Sequence, residues 1–231
     1  MKQPVEMTAS ELLGELNEVE RKYAPKKLFI VGRREILDER PRVSIVGSRK
    51  PSARGLQRAK KLARIVAERR GVVISGLAMG VDAAAHRAAI EAGGLTVAVI
   101  GTSLNNVYPR ENAELQELIQ QQYLCISQFP IGYPTRRENF PIRNRTMALI
   151  SDATVIIEAG NTSGSLSQGW EALRLGRRLF ISKSLTENKS LSWTREMQAY
   201  GAELLSDESL EGFFESLPIR IAPLEMDAVP F

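Results

Sequence analysis

From residue 43 onward the chain alternates between short apolar runs and longer mixed stretches. The apolar runs are VSIVG (43–47), GVVIS (71–75), LTVAVIG (95–101), YLCIS (123–127), ATVII (153–157) and RLFIS (178–182). Continuous runs of this length read as strands buried on both faces. Between them, segments near 53–70, 81–92, 111–121, 144–151, 165–175 and 190–200 read as helices. The succession predicts an α/β fold, a parallel sheet with helices on both faces and right-handed crossovers. LFIV (28–31) reads as a further short strand. Residues 1–24 read as an appended helix, with Thr8 and Glu11 at capping-box spacing and a stripe of Leu12, Leu13, Leu16 and Val19. Residues 25–205 then form the main domain. Residues 206–231 read as one short helix and a loosely ordered end, PIRIAPLEMDAVPF.

One stretch departs from ordinary patterning. NFPIRNRTMALIS (139–151) places Arg143, Asn144 and Arg145 at the expected start of an apolar helix. Cations there oppose the helix macrodipole, and Asp, Ser or Thr is the usual choice. The placement points to an anion arriving from outside. Open α/β sheets bind ligands beyond the carboxyl ends of their strands, and small residues gather at those ends. Gly47, Ser48 and Arg49 follow one strand, ahead of Lys50-Pro51-Ser52. Ser75 and Gly76, with Gly80 and Asp82, follow the next. Ser163, Gly164 and Ser165 lie in a Gly/Ser loop after the fifth. Glycine admits close approach of a phosphate, a helix N-terminus offers free N–H groups, and arginine adds a bidentate donor. Taken singly, each is also an ordinary strand-to-helix turn. Asp82 either caps the following helix or touches the ligand. His86, the single histidine, reads as a structural partner of Asp82 on the same helix face.

Composition narrows the chemistry. With 231 residues and 43% hydrophobic content the chain can bury one sizeable core. The net charge is only +4, yet residues 40–70 hold 11 Arg or Lys and one acid, Glu68. Such a block attracts polyanions or forms a solvated helix face. The single Cys125 excludes an internal disulfide and a cysteine metal cluster, and reads as a buried, inert thiol. No metal-ligand cluster, GxxxxGK[ST] loop, GxGxxG turn or Ser/His/Asp triad is present. No cofactor is expected. No apolar run reaches about 18 residues and no signal peptide is read, so a cytoplasmic, membrane-free protein is expected.

The series LFIVGRREIL, VSIVGSRKPS, VISGLAMGVDAAAH, GGLTVAVIGTSLNNVYPRENAEL, FPIRNRTMALISDATVIIEAGNTSGSL, in collinear order over roughly residues 25–182, resembles the DNA-processing protein A (DprA, or Smf) family. The resemblance implies an extended Rossmann-like domain that binds single-stranded DNA without catalysis, dimerises, and assists loading of a RecA-type recombinase in DNA uptake or recombination. Carried over by motif, the strand-binding positions are Gly47, Ser48, Arg49, Ser75, Gly76, Gly80, Phe140, Arg143, Asn144, Arg145, Ser163, Gly164 and Ser165. Phe140 would stack on or wedge a base, and Arg143 and Arg145 would hold phosphates. The alternative for either arginine is an ion pair with Glu158 or Asp152. A homodimer is expected from the family and from Leu173, Leu175, Leu179 and Trp193, taken as apolar surplus. Gln128 and Met79 depart from the family's acid and arginine. The segment after the sixth strand also departs, and the appended helical and winged-helix domains of many members are not expected. A divergent, minimal paralogue is therefore expected, with repair or phage defence as alternatives to transformation.

Two rival classes share the superfamily's site. The nucleoside monophosphate phosphoribohydrolase-like enzymes need a glutamate where Gln168 stands; Glu171 or Glu158 would have to substitute. A sensor for a small nucleotide signal needs the same glycines and arginines as a strand binder. A long basic groove would favour a strand, and a closed pocket would favour a small ligand.

Overall fold

A computed structural model describes residues 3–39 and 41–218. Strands β1 (Val5–Met7), β2 (Leu28–Gly32), β3 (Arg42–Val46), β4 (Val72–Ser75), β5 (Leu95–Ile100), β6 (Leu124–Ser127), β7 (Ala153–Ile156), β8 (Arg178–Ser182) and β9 (Glu203–Leu205) make one sheet. Its order is β1-β2-β6-β5-β4-β3-β7-β8-β9. The seven strands from β6 to β9 in that order pair in parallel. β2 runs antiparallel to β6, and β1 antiparallel to β2. The wholly parallel expectation is thereby corrected at one edge.

The helices are α1 (Ala9–Leu13), α2 (Glu18–Tyr23), α3 (Ala53–Glu68), α4 (Val81–Glu91), α5 (Ala113–Gln122), α6 (Asn139–Ile150), α7 (Ser165–Arg174), α8 (Lys183–Thr186), α9 (Trp193–Ala199) and α10 (Leu210–Glu215). Alternation along the strands feeds two layers. Val43 and Ile45 of β3, Val73 of β4 and Val155 of β7 face α3 and α4. Val46, Ile74, Val97 and Ile156 face the opposite layer, which includes Met147 and Ile150 of α6. On α3, Ala59, Leu62, Ala63 and Val66 bury one stripe at helical spacing, while its cations stay outside. Each fully buried Val, Leu or Ile contributes about 1.5–3 kcal/mol relative to an exposed one.

The amino-terminal segment is two short helices behind a strand. The Thr8 capping box forms as read, with Thr8 Oγ1 accepting from Glu11 N at 3.2 Å and Glu11 Oε2 accepting from Thr8 N at 2.6 Å. Leu12 and Leu16 join the main core; Leu13 packs against it, and Val19 is exposed. Leu175, Leu179 and Trp193 are likewise buried within the chain, and Leu173 packs against the same core. They form no apolar surplus, so that ground for a dimer falls away. The read end PIRIAPLEMDAVPF lies, except for Pro218, outside the described residues. No described helix is long and apolar enough to cross a membrane.

Beyond Val46, the chain leaves β3 through α3 toward β4, whereas β7 on its other side leads through α7 toward β8. Connections depart in opposite directions from these neighbouring strands. A crevice forms at such a switch point, and this chain has one there.

Candidate nucleic-acid interface at the switch point

The crevice is a cleft of ≈ 540 Å³ built from the ends of β3 and β4, the first half of α6 and the loop between β7 and α7. From the expected set it gathers Gly47, Ser48, Arg49, Phe140, Arg143, Asn144, Ser163, Gly164 and Ser165. Gly76 lines a smaller recess of ≈ 30 Å³ on the other side of Phe140. Ser75, Gly80 and Arg145 line neither. Ser75 is buried, with its hydroxyl donating to Ile45 O at 2.7 Å, so it ties β4 to β3. Arg145 turns outward, and its Nε donates to Glu171 Oε1 at 3.1 Å.

The two arginines of the FPIRNR segment therefore have different environments. Helix α6 begins at Asn139, five residues before the expected start, with Pro141 in its first turn, where its missing N–H breaks no bond. Arg143 consequently lies in the second turn, not at an exposed N-terminus, which corrects the macrodipole reading. It is 6% exposed. Its Nη1 donates to Gly76 O and Val99 O at 2.5 and 2.6 Å, and its Nε to Asn144 Oδ1 at 3.0 Å. No hydrogen bond to its Nη2 occurs among the described residues, and that nitrogen belongs to a side chain lining the cleft. Burial lowers its pKa to about 10, with Asp82 opposing that shift. Neither Glu158 nor Asp152 pairs with Arg143 or Arg145. Asp152 holds buried Arg42, whose Nη2 donates to Asp152 Oδ1 at 3.1 Å. Glu158 accepts from Ser52 N and Oγ at 2.8 and 2.6 Å, fixing the start of α3.

Gly76, Gly80 and Gly47 are explained by the chain's own packing. A Cβ at Gly76 would sit 2.2 Å from Arg143 Nη1. Gly80 has φ +77°, and a Cβ there would meet Ser48 O at 2.4 Å. At Gly47 it would meet Val81 and the Glu158 carbonyl at 2.8 and 2.9 Å. Glycine at these points permits the strand ends to close on each other. Gly160 and Gly164 differ, since a Cβ at either would meet nothing within 4 Å. They leave the β7–α7 loop backbone open to an approaching group.

Asp82 organises the turn after β4. Its Oδ2 accepts from Gly76 N and Ala78 N at 3.1 and 3.4 Å. Between them Leu77 holds φ +58°, a costly conformation for a non-glycine residue; its carbonyl accepts from Asn112 Nδ2 at 2.9 Å. Burial raises the Asp82 pKa, while Arg143 and the two backbone donors pull it down. His86 does not bond Asp82 as expected. Its Nδ1 lies 2.7 Å from Thr96 Oγ1, and that hydroxyl donates to Val73 O at 2.9 Å. Which of Nδ1 and Oγ1 donates to the other follows from the imidazole tautomer. Burial lowers the His86 pKa to about 3, keeping it neutral. Cys125 is buried, and desolvation pushes its thiol up to about 12, in keeping with an inert side chain.

Asn144 ties α6 to the Ser/Gly loop, its Nδ2 donating to Gly164 O at 3.1 Å and Ser167 Oγ at 2.6 Å. Gln168 is fully buried; with its amide turned so that oxygen accepts from Thr154 Oγ1 at 3.2 Å, its nitrogen donates to Asn144 O at 2.8 Å. At the mouth, exposed Arg49 sits over the Phe140 ring, 5.7 Å from its centroid. Sequence reasoning did not single out Lys50, Thr162 or Ser167 as ligand contacts, though all three line the cleft. Lys50 adjoins Arg49, and Thr162 opens the Ser/Gly loop, which were the available signals.

A family model described as DNA recombination-mediator protein A matches residues 9–217. The chain belongs to the DNA-processing protein A family. It is 31% identical to DprA of Bacillus subtilis over 85% of this chain and 65% of that protein. It is 40% identical to DprA of Streptococcus pneumoniae over 68% of this chain and 55% of that one. The chain thus spans between about half and two thirds of these relatives' length. An X-ray structure of the S. pneumoniae protein superposes with TM-score 0.80, at 29% identity, over 95% of this chain and 76% of that chain. The structure of DNA processing protein A from Helicobacter pylori, described for its single-stranded DNA binding mode, gives 0.78 at 27% identity, over 92% and 97%. Molybdenum cofactor binding proteins share the fold alone, as for one from Rippkaea orientalis, at TM-score 0.55 and 18% identity. The extended Rossmann-like fold and the family expected from the motifs both hold.

Proposed function

We propose that the switch-point cleft binds single-stranded DNA with little sequence preference. The observation that carries this reading is the pairing of Arg49 with Phe140 at the cleft mouth. A free guanidinium and a half-buried ring at one place suit a phosphate and the base attached to it. Gly47 and Ser48 shape the wall, Arg143 and Asn144 the floor, and Ser163, Gly164 and Ser165 the open backbone opposite. Family membership supports the same ligand, as does the single-stranded DNA binding mode described for the H. pylori protein. In this reading the protein protects the strand and assists a RecA-type recombinase, acting as a homodimer in recombination or DNA uptake.

Catalysis forms no part of the proposal. Among the described residues, Asp82 is the one carboxylate lining the cleft, and its Oδ2 is engaged by two backbone donors. Glu158 and Glu171, the expected substitutes for a catalytic glutamate, hold Ser52 and Arg145 outside it. Nucleoside monophosphates incubated with the protein should remain intact. Release of base above that of an Asp82→Asn control would promote the enzyme.

A second reading has one observation in its favour. A cleft of ≈ 540 Å³ lies within the range that holds a single small ligand. Titrating the protein with single-stranded DNA, duplex DNA and free nucleotides separates the two. Tightest binding to the single strand is expected; saturation by a mononucleotide with no gain from a longer strand would establish the sensor instead.

A further inference from the structure

We infer that Tyr108 is a second base-stacking surface, carrying the strand out of the cleft past Phe140. The inference rests on the strand-binding reading above and extends it to a part of the molecule outside the main cleft. Tyr108 lies in the loop after β5 and is 45% exposed. Its ring stands 5.3 Å from that of Phe140, tilted by 46°. Phe140 is enclosed on two sides. Arg49 lies over its ring, and its Cδ1 is 2.7 Å from where a Cβ of Gly101 would stand. Phe140 lines both the main cleft and the small recess, whereas Tyr108 lines only the recess. That recess, at ≈ 30 Å³, has room for about one water and no base. A base on this side must therefore lie over the outer part of Tyr108, with Phe140 as the divider between it and its neighbour in the cleft.

The exposed charges in the loops beside Tyr108 are Arg110, Arg136 and Arg137 against Glu111 and Glu138, a small positive excess. Arg110 and Arg137 are exposed and have no carboxylate partner among the described residues. Arg136 is 3.9 Å from Glu138. The loop carrying Arg136 and Arg137 is held against the Tyr108 loop, Asn106 Nδ2 donating to Thr135 Oγ1 at 2.8 Å. An aromatic face beside cations that track a backbone is the arrangement sequence-tolerant strand binders use.

Oligothymidylates of about four and about twelve nucleotides, bracketing the span of such sites, provide the test. Tyr108→Ala should weaken the longer strand about tenfold and the shorter one about twofold or less. Tyr108→Phe should match the parent protein on both. Unchanged binding of the longer strand by Tyr108→Ala would overturn the inference. So would an equal loss on both lengths, since Tyr108 would then only prop Phe140. If the parent protein binds neither strand, the underlying reading itself fails. Thermal unfolding of each variant checks that the fold survives; Tyr108 donates to no group among the described residues, so its truncation strands no partner.

Discussion

The floor of the cleft and the outer face of α3 are both rich in charge, and they use it in opposite ways. On α3 and at its C-cap, Lys61, Arg64 and Arg69 reach Asp207, Glu91 and Glu211 on neighbouring segments, at 2.7, 3.7 and 2.8 Å, with side chains largely in solvent. Beneath the cleft, Arg143, Asp82 and His86 are buried, and they engage backbone groups or Thr96. The density of cations along the sequence peaks on α3, yet the built crevice lies elsewhere. Among the described residues Arg49 makes no ion pair, and what sets it apart from equally unpaired Arg54 and Lys60 of α3 is its place at the cleft mouth over Phe140.

The floor should give the largest effect. Arg143→Ala would strip the donor from two buried carbonyls and remove the nearby positive charge that opposes the upward shift of the Asp82 pKa. Removing one member of a buried charged network costs about 3–5 kcal/mol. Urea unfolding should report that loss, with Arg143→Lys recovering only part, because an ammonium cannot reproduce the planar fork. A loss under about 1 kcal/mol would place the floor on a par with the α3 face and dissolve the contrast.

At the mouth, Arg49→Ala should spare stability and weaken single-stranded DNA binding by about 1–3 kcal/mol. The slope of log affinity against log salt should flatten by about 0.7, one phosphate contact on a single strand. Phe140→Ala should weaken binding by a similar amount, about 1–3 kcal/mol, with that slope nearly unchanged. If both variants alter the salt slope alike, the ring serves only to place the guanidinium.

The contrast also shows what the chain reveals before folding. The six continuous apolar runs from β3 onward are legible as strands because both faces of a parallel sheet are covered. The antiparallel pairing of β2 between β1 and β6 is not, because a five-residue strand carries no signal of direction. Phe140 and Pro141 resemble loop chemistry, so the pattern alone makes helix α6 too short. That hides the periodicity that separates its arginines. Two residues apart on a helix is about 200° of rotation, so Arg143 faces the cleft and Arg145 faces α7. Glycines at strand ends are visible, but their reason is not. Gly76 and Gly80 accommodate Arg143 and Ser48, and only the folded neighbourhood supplies those partners.

His86 allows the buried side of the comparison to be sharpened with pH. Its folded pKa is about 3 against an ordinary 6.5. The unfolded chain therefore takes up a proton near pH 6.5 that the folded protein refuses until about pH 3. The contribution of neutral His86 is fully present above pH 6.5 and is lost as pH falls toward 3, at up to about 1.4 kcal/mol per pH unit. Asp82, its pKa raised, works in the opposite sense in acid, so the parent profile mixes the two. The difference between parent and His86→Gln isolates the histidine. Unfolding free energies from pH 7 to 5 should fall less steeply for the variant; parallel curves would mean that His86 is hydrated and titrates normally.

The smallest effects belong to the α3 face, and their smallness is what the comparison needs. Arg64 is half exposed and 3.7 Å from a similarly exposed Glu91. An exposed pair contributes about 0–1 kcal/mol, because both partners are nearly as well served by water. Arg64→Ala should change stability by no more than that. It should also leave single-stranded DNA affinity within about 0.5 kcal/mol, because long-range charge is screened beyond about 8–10 Å at physiological salt. Arg145→Ala is the matched control within α6, two residues from Arg143 but turned to Glu171, which retains Arg174. If Arg64→Ala and Arg145→Ala each weaken binding as much as Arg49→Ala, general positive charge explains the affinity, and the cleft loses its claim to the strand. If both remain near the parent protein while Arg49→Ala does not, the ligand reads position within the fold and not the charge of the sequence.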